Sequence, residues 1–246
     1  MPFPLAHPAA VLPLRRFCPW PLHLPALVVG SMAPDLAYFL GKFHVDVFAH
    51  QFWGSVIFSV PAGLVCLLAL YTGRNVLHRS LPLERQPPIL RLPWPAPGPV
   101  WVLVLSLVVG AWTHFFFDAF THTTGWFVLR LPWLRFSLAT VEGRSIRLCS
   151  FLWYFCSFVG TGLVFLAFRG WQRSAIEGVA GRRRVDYWEA FLVAATLVPI
   201  EVAHHFLRNW RGMLAVAILT VLLLLVVLWR KPANGASPAP ELTGQS

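Results

Sequence analysis

Charge is what this sequence lacks. Of its 246 residues only 12% are charged, against about 25% in a soluble domain. A surface of that kind cannot be clothed for water. Lysine is almost missing, with Lys42 and Lys231 alone, and there are ten acids in all. Cysteine is sparse too. Cys18, Cys66, Cys149 and Cys156 form no CxxC pair, which excludes a disulfide scaffold and leaves them as small apolar residues. There is no Gly-rich phosphate loop, no nucleophile elbow and no HExxH motif. What is present is apolar: 57% hydrophobic residues and a mean hydropathy of +0.63. That excludes disorder for the bulk of the chain and leaves an integral membrane protein, one domain by length.

The net charge of +10 is nearly all arginine. A basic chain raises nucleic acid as a partner. These arginines, however, sit between apolar runs and not along one polar face. They read as topology signals and headgroup contacts, so the expected partner is the lipid bilayer, with no nucleic acid.

Five apolar stretches have spanning length: 52–72, 99–120, 148–168, 188–207 and 213–229. A sixth, 24–41, is short and interrupted by Pro34 and Asp35; it spans or re-enters. Trp53, Trp101, Trp188 and Trp210 stand near segment starts, and Trp171 and Trp229 near segment ends, where an amphipathic indole prefers to lie. The expected fold is an all-α, polytopic membrane helix bundle of five to six transmembrane helices. An N-terminal arm covers 1–23, a single transmembrane helical domain 24–230, and a disordered polar tail 231–246. The loop 73–98 carries six prolines and should be extended. With six spans and the N-terminus inside, thirteen Lys and Arg face the inner side and seven the outer. This predicts a cytoplasmic C-terminus.

Ionisable groups within spans are costly, about 2.5–3.5 kcal/mol for an aspartate at a helix centre, so each needs a partner or a purpose. Asp35, Asp118 and Glu201 stand within or at the ends of apolar runs. His114, Asp118 and His122 are spaced i, i+4, i+8, which puts all three on one side of a helix. HxxxD supplies a nitrogen and an oxygen ligand one turn apart, half of a zinc site; a His–Asp hydrogen bond that satisfies two buried groups explains it as well. In Gly30-Ser31-Met32-Ala33-Pro34-Asp35 the proline breaks the ladder and presents the aspartate at an irregular point. Asp35 could equally cap a helix start. His50 opens an apolar segment, where an interfacial histidine is the plain alternative. His7 is a lone histidine near a terminus. Glu201 with His204 or His205 reads as a second site, a proton relay, or a paired helix end. By topology His50, His114–His122 and Glu201–His205 lie near one membrane face, the outer one, and Asp35 sits toward it if 24–41 spans.

These residues carry a resemblance. Met1-Pro2-Phe3, Ala6-His7-Pro8-Ala9-Ala10-Val11, Leu14-Arg15-Arg16, Gly30-Ser31-Met32-Ala33-Pro34-Asp35 and His114-xxx-Asp118-xx-Thr121-His122 look like domain-of-unknown-function family 4184, an uncharacterised bacterial membrane family. The resemblance covers about residues 1–210. More distantly the pattern resembles the prophage-type membrane-bound metal-dependent hydrolases and the zinc-dependent phospholipase C family. Those resemblances imply metal ligation by His7, Asp35, His50, His114 and Asp118, with zinc as the divalent ion and Asp35 also the general base. His122, Glu201, His204 and His205 are secondary candidates. Two departures stand out. After His122 the next acid is Glu142, without a partnering histidine, and the next histidines are His204 and His205. The stretch around His50 reads Ala49-His50-Gln51-Phe52-Trp53-Gly54-Ser55, a reduced form of the prophage group's motif.

The functional expectation is a metal-dependent hydrolase of the phosphoesterase or phospholipase type in a bacterial cytoplasmic membrane. It would act at the outer face on a lipid or headgroup substrate. The alternatives are a small ion- or proton-coupled transporter and a non-catalytic structural membrane protein with buried His/Asp pairs.

Overall fold

Prolines cut the first fifty residues into short helical pieces. The computed structural model describes residues 4–39, 43–82, 86, 90, 93–141, 144–177 and 193–194. A 3-10 turn (Pro4–Ala6) leads into α1 (Pro8–Val11), another 3-10 turn (Leu12–Phe17) and α2 (Leu24–Met32). Pro34 supplies no N–H to continue the ladder, so α2 ends and the chain tightens to a 3-10 turn at Ala33–Asp35. Next come α3 (Leu36–Phe39), α4 (Phe43–Ala49), α5 (Phe52–Ile57), α6 (Ser59–Ser80) and α7 (Val100–Thr121). After α8 (Trp126–Arg130) and a 3-10 turn (Pro132–Arg135), the antiparallel hairpin β1 (Ser137–Val141) and β2 (Arg144–Arg147) leads into α9 (Leu148–Glu177).

The core is the crossing of α2, α6 and α7. Ala26, Leu107, Val60 and Leu67 are buried at its centre. Lipid tails are as apolar as leucine, so burying Leu107 against protein gains little by transfer in a bilayer. Close packing has to hold such helices together. Glycine permits it. A Cβ on Gly30 would run into the Leu107 carbonyl oxygen, and one on Gly110 into the Leu27 carbonyl oxygen. Each helix thus offers a glycine to the backbone of the other. His23 pins the start of α2. Its backbone N–H donates to Ser106 Oγ (2.8 Å), and its Nδ1 accepts the Ala26 N–H (3.3 Å) as an N-cap. The other ring nitrogen then carries the proton and reaches Ala96 O (3.2 Å), while Tyr71 Oη donates to Pro95 O (2.8 Å). These bonds hold residues 93–99, which have no regular secondary structure.

Three helical stretches among the described residues are long and apolar enough to cross a membrane: Phe52–Ser80, Val100–Arg130 and Leu148–Gln172. A third or less of each is buried inside the protein (33%, 33% and 22%), so most of their apolar surface faces outward, as lipid contact demands. The expected bundle of five to six spans is corrected by this. The stretches 52–72, 99–120 and 148–168 fall within these helices. The stretch 24–41 does not qualify: α2 has nine residues, about 14 Å at 1.5 Å per residue, less than half the hydrocarbon thickness. Apolar composition suggested length there, and Pro34 removed it. The stretches 188–207 and 213–229 lie outside the described residues, apart from Val193 and Ala194 in helical conformation. The all-α expectation is corrected too: the fold is mostly helical and includes a two-stranded hairpin.

Candidate metal centre

The break at Pro34 has a consequence for Asp35. Its carboxylate is fully buried, at 0% exposure, and neither oxygen accepts a hydrogen bond among the described residues. The capping role is therefore excluded. The oxygens point at two histidines instead. His50 Nε2 lies 3.2 Å from Asp35 Oδ1, and His114 Nε2 lies 3.4 Å from the same atom.

His114 is the hub. It is fully buried on α7, near the end of the helix. Its Nδ1 donates to the Ser31 carbonyl of α2 at 2.9 Å. In the neutral ring this bond leaves Nε2 as a bare lone pair. That lone pair faces His50 Nε2 at 3.2 Å, Asp118 Oδ2 at 3.2 Å and Asp35 Oδ1 at 3.4 Å. Asp118 follows one turn later on the same face, with Oδ2 3.7 Å from His50 Nε2. The N-terminal arm brings in His7. Its ring stacks on His114 with centroids 3.8 Å apart, and its Nε2 lies 3.9 Å from Asp118 Oδ1. Burial, and next the neighbouring His114, push the His7 pKa down to about 3, against the pull of Asp118 and Asp35. His7 is thus a neutral imidazole near neutrality, the form that ligates metals.

Two properties of this cluster decide between a hydrogen-bonded network and a metal site. The first is a shortage of donors. His7 Nε2, both Asp35 oxygens and Asp118 Oδ1 are buried without a hydrogen bond. Each unsatisfied group costs about 1–3 kcal/mol, and one proton on His114 Nε2 serves a single acceptor. The second is distance. Charge-assisted N–H···O bonds run to about 2.7–2.9 Å. The contacts among His50, His114, Asp35 and Asp118 are 3.2–3.7 Å. Ligands at about 2.0–2.1 Å from a tetrahedral ion stand about 3.3 Å from one another. The residues present fit a divalent ion in donor set and spacing. Two triads have ligand atoms all within 4.8 Å of one another: His7, Asp35 and His114; and His50, His114 and Asp118. With Nδ1 committed to Ser31, His114 offers one nitrogen to one ion. A second ion would have to rely on bridging carboxylates.

The five histidines and aspartates expected from the resemblance thus come together at one end of the bundle. His122 stands at the very end of the face expected of it. The α7 helix ends at Thr121, and His122 is its extended C-cap (φ −97°, ψ 139°). Its Nδ1 reaches back to Asp118, 3.2 Å from the backbone oxygen and 3.7 Å from Oδ1. Gly125 then opens the next helix as the N-cap of α8. Glu201, His204 and His205 lie outside the described residues. Sequence reasoning missed Ser31 as the outer partner of His114, since a backbone carbonyl has no residue signature. It also missed the Gly30–Gly110 crossing that brings Ser31 and His114 together; small residues on two apolar segments were the available signal.

Fold and site together define a helical, membrane-associated protein with a buried His/Asp cluster that suits metal coordination. The chain belongs to the family described as Domain of unknown function (DUF4184), whose model matches residues 1–229. No curated protein and no solved structure matches it. None of these comparisons links the chain to the prophage-type hydrolases or the zinc-dependent phospholipases.

Proposed function

We propose that this protein is a membrane-embedded, metal-dependent hydrolase of phosphoester bonds. His7, Asp35, His50, His114 and Asp118 would hold one or two divalent ions, zinc foremost. The observation that carries the reading is the convergence on His114 Nε2: His50 Nε2 and Asp118 Oδ2 stand at 3.2 Å, and Asp35 Oδ1, which no hydrogen bond from a described residue serves, at 3.4 Å. A divalent ion in such a site supplies a water acidified to near neutrality and a counter-charge for a developing oxyanion.

The chain's own residues divide the remaining work. The Ser31 carbonyl orients His114 and fixes its tautomer. Asp35 combines full burial with two oxygens that no donor among the described residues serves; it is the general base, one oxygen holding the proton that the attacking water gives up. The aromatic and apolar wall around the cluster, including Phe115 beside His50, keeps bulk water away. The outer-face location belongs to the same reading. Arg130, Arg135, Arg144 and Arg147 flank the spans at the site's end. Arg74, Arg79 and Arg169 stand toward the ends away from it, and positive charge favours the inner side.

The test is metal content. Purified wild type should retain zinc, manganese or iron after dialysis, and His114→Ala should lose it. Equal, negligible metal in both proteins would end the metal reading. Release of the alcohol or phosphate product from a phospholipid, lost in Asp118→Asn, tests the hydrolase part.

A further inference from the structure

A groove runs beside the cluster. It has a volume of about 170 Å³ and lies between the N-terminal arm, α7 and α9. Ala6 and Ala10 line one side, Phe117 another, and Phe155, Cys156 and Val159 the third; among the described residues no charged side chain takes part. Ala6 precedes His7 and Phe117 precedes Asp118, so two of its walls continue directly into the cluster. On its other flank the lining is outward-facing. Phe117, Phe155 and Val159 are 37%, 52% and 38% exposed, and all three belong to membrane-spanning segments. In a bilayer this opening meets hydrocarbon, not water. A cavity of about 150 Å³ with apolar walls stays dry and accepts a benzene ring, so this groove has room for roughly the same number of chain carbons.

We propose that the groove holds one hydrocarbon chain of a membrane lipid whose phosphoester headgroup lies at His7 and Asp118. This rests on the hydrolase reading for its substrate class and goes further in naming how that substrate is bound. The lipid enters sideways from the bilayer. The apolar walls select for a chain next to the scissile group, and a soluble phosphoester lacks that contact.

The experiment needs no turnover. The full chain, stripped of metal with a chelator, is placed in phosphatidylethanolamine–phosphatidylglycerol vesicles doped with phosphatidylglycerol that carries a diazirine in one acyl chain. Illumination and peptide mapping then locate the label. The expected result is label concentrated on the Phe117 and Phe155–Val159 peptides, above that at lipid-facing Leu68 on α6, which is 65% exposed. Cys156→Phe, which fills the groove, should remove most of the groove label and leave the Leu68 label in place. Val159→Trp is a second filler should the first fail to fold. Label no denser than at Leu68, or unmoved by either filler, overturns the proposal. So do cross-links from the groove to a second copy or to another segment of the same chain. Because the protein is metal-free, groove labelling without later hydrolysis would leave this inference standing and remove the hydrolase reading alone.

Discussion

Asp35→Asn separates a metal site from a buried ion-pair network, because the two readings give opposite signs in the same protein. Asp35 is fully buried, with His50 Nε2 at 3.2 Å and His114 Nε2 at 3.4 Å. Suppose the carboxylate is there to pair with a protonated histidine. Removing its charge then breaks a buried pair and costs about 3–5 kcal/mol, with or without metal. If the carboxylate is there for a cation, the metal-free protein gains: the Asn amide donates to a histidine lone pair at hydrogen-bond distance, which contributes about 1 kcal/mol. The loss then shows only with the ion. At a free zinc concentration of about a hundred times Kd, binding stabilises wild type by about 2.7 kcal/mol. Loss of an outer partner alone weakens metal sites by about 10- to 100-fold. A hundredfold rise in Kd, a floor for a direct ligand, cuts that stabilisation to about 0.4 kcal/mol. Thermal melting in detergent, with chelator and at fixed free zinc, reads both quantities, and zinc content after dialysis checks the affinity. The expected Asn variant melts at or above wild type in chelator and responds weakly to zinc. A variant that melts far below wild type in chelator, yet gains as much from zinc, refutes the reasoning.

Gly110→Val should cost about 1–3 kcal/mol, because its Cβ meets the Leu27 carbonyl and, at 2.7 Å, Ser31 N, backbone atoms that cannot rotate away. It should also lower zinc affinity by drawing Ser31 O off His114, whereas Gly73→Ala, with open space around it, should be neutral or stabilising by up to about 1 kcal/mol; melting curves and zinc titration of the pair decide. Acid should destabilise the metal-free protein through His7. Its folded pKa of about 3, set first by burial, lies below the ordinary 6.5, so its contribution is complete above pH 6.5 and fades as pH falls toward 3, by about 2 kcal/mol at pH 5. His23, lowered by burial as well, acts in the same direction. His7→Gln should flatten the pH dependence of melting between pH 7 and 5, and an unchanged slope would place the acid lability elsewhere. His122→Ala should weaken zinc binding far less than His114→Ala, since the His122 Nδ1 stands 3.7 Å from Asp118 Oδ1 at the helix end, whereas His114 Nε2 lies within 3.2–3.4 Å of His50, Asp118 and Asp35; equal losses in metal content would make it a direct ligand. Proton flux into liposomes that depends on Asp118 in metal-free protein would favour the relay reading of the same short contacts.

Much of the candidate site was legible because chemistry in a membrane is scarce. With ten acids in 246 residues, Asp35 and Asp118 stood out against apolar neighbours, and HxxxD put His114 beside Asp118 through helical geometry alone. The i, i+8 extension placed His122 within 3.7 Å of Asp118, but a periodicity says where a face lies and not where the helix stops, and α7 ends at Thr121. The span count failed for a related reason. Hydropathy measures composition, whereas crossing a bilayer needs uninterrupted length: the doubtful stretch 24–41, read as interrupted by Pro34, keeps only the nine residues of α2, and 188–207 and 213–229 lie outside the described residues apart from 193–194.

By itself the sequence determined the apolar, membrane-suited character, the break at Pro34 and the His114–Asp118 pair, because each follows from local composition or from contacts within one helix. Only the tertiary structure decided that His7 reaches the cluster, that Asp35 caps no helix and that the Ser31 carbonyl holds His114. It also decided that an apolar groove lies beside His7 and Asp118. Those facts depend on where α1, α2 and α7 cross, and the crossing is set by Gly30 and Gly110, 80 residues apart. Close packing between distant backbone segments leaves no periodic trace along the chain.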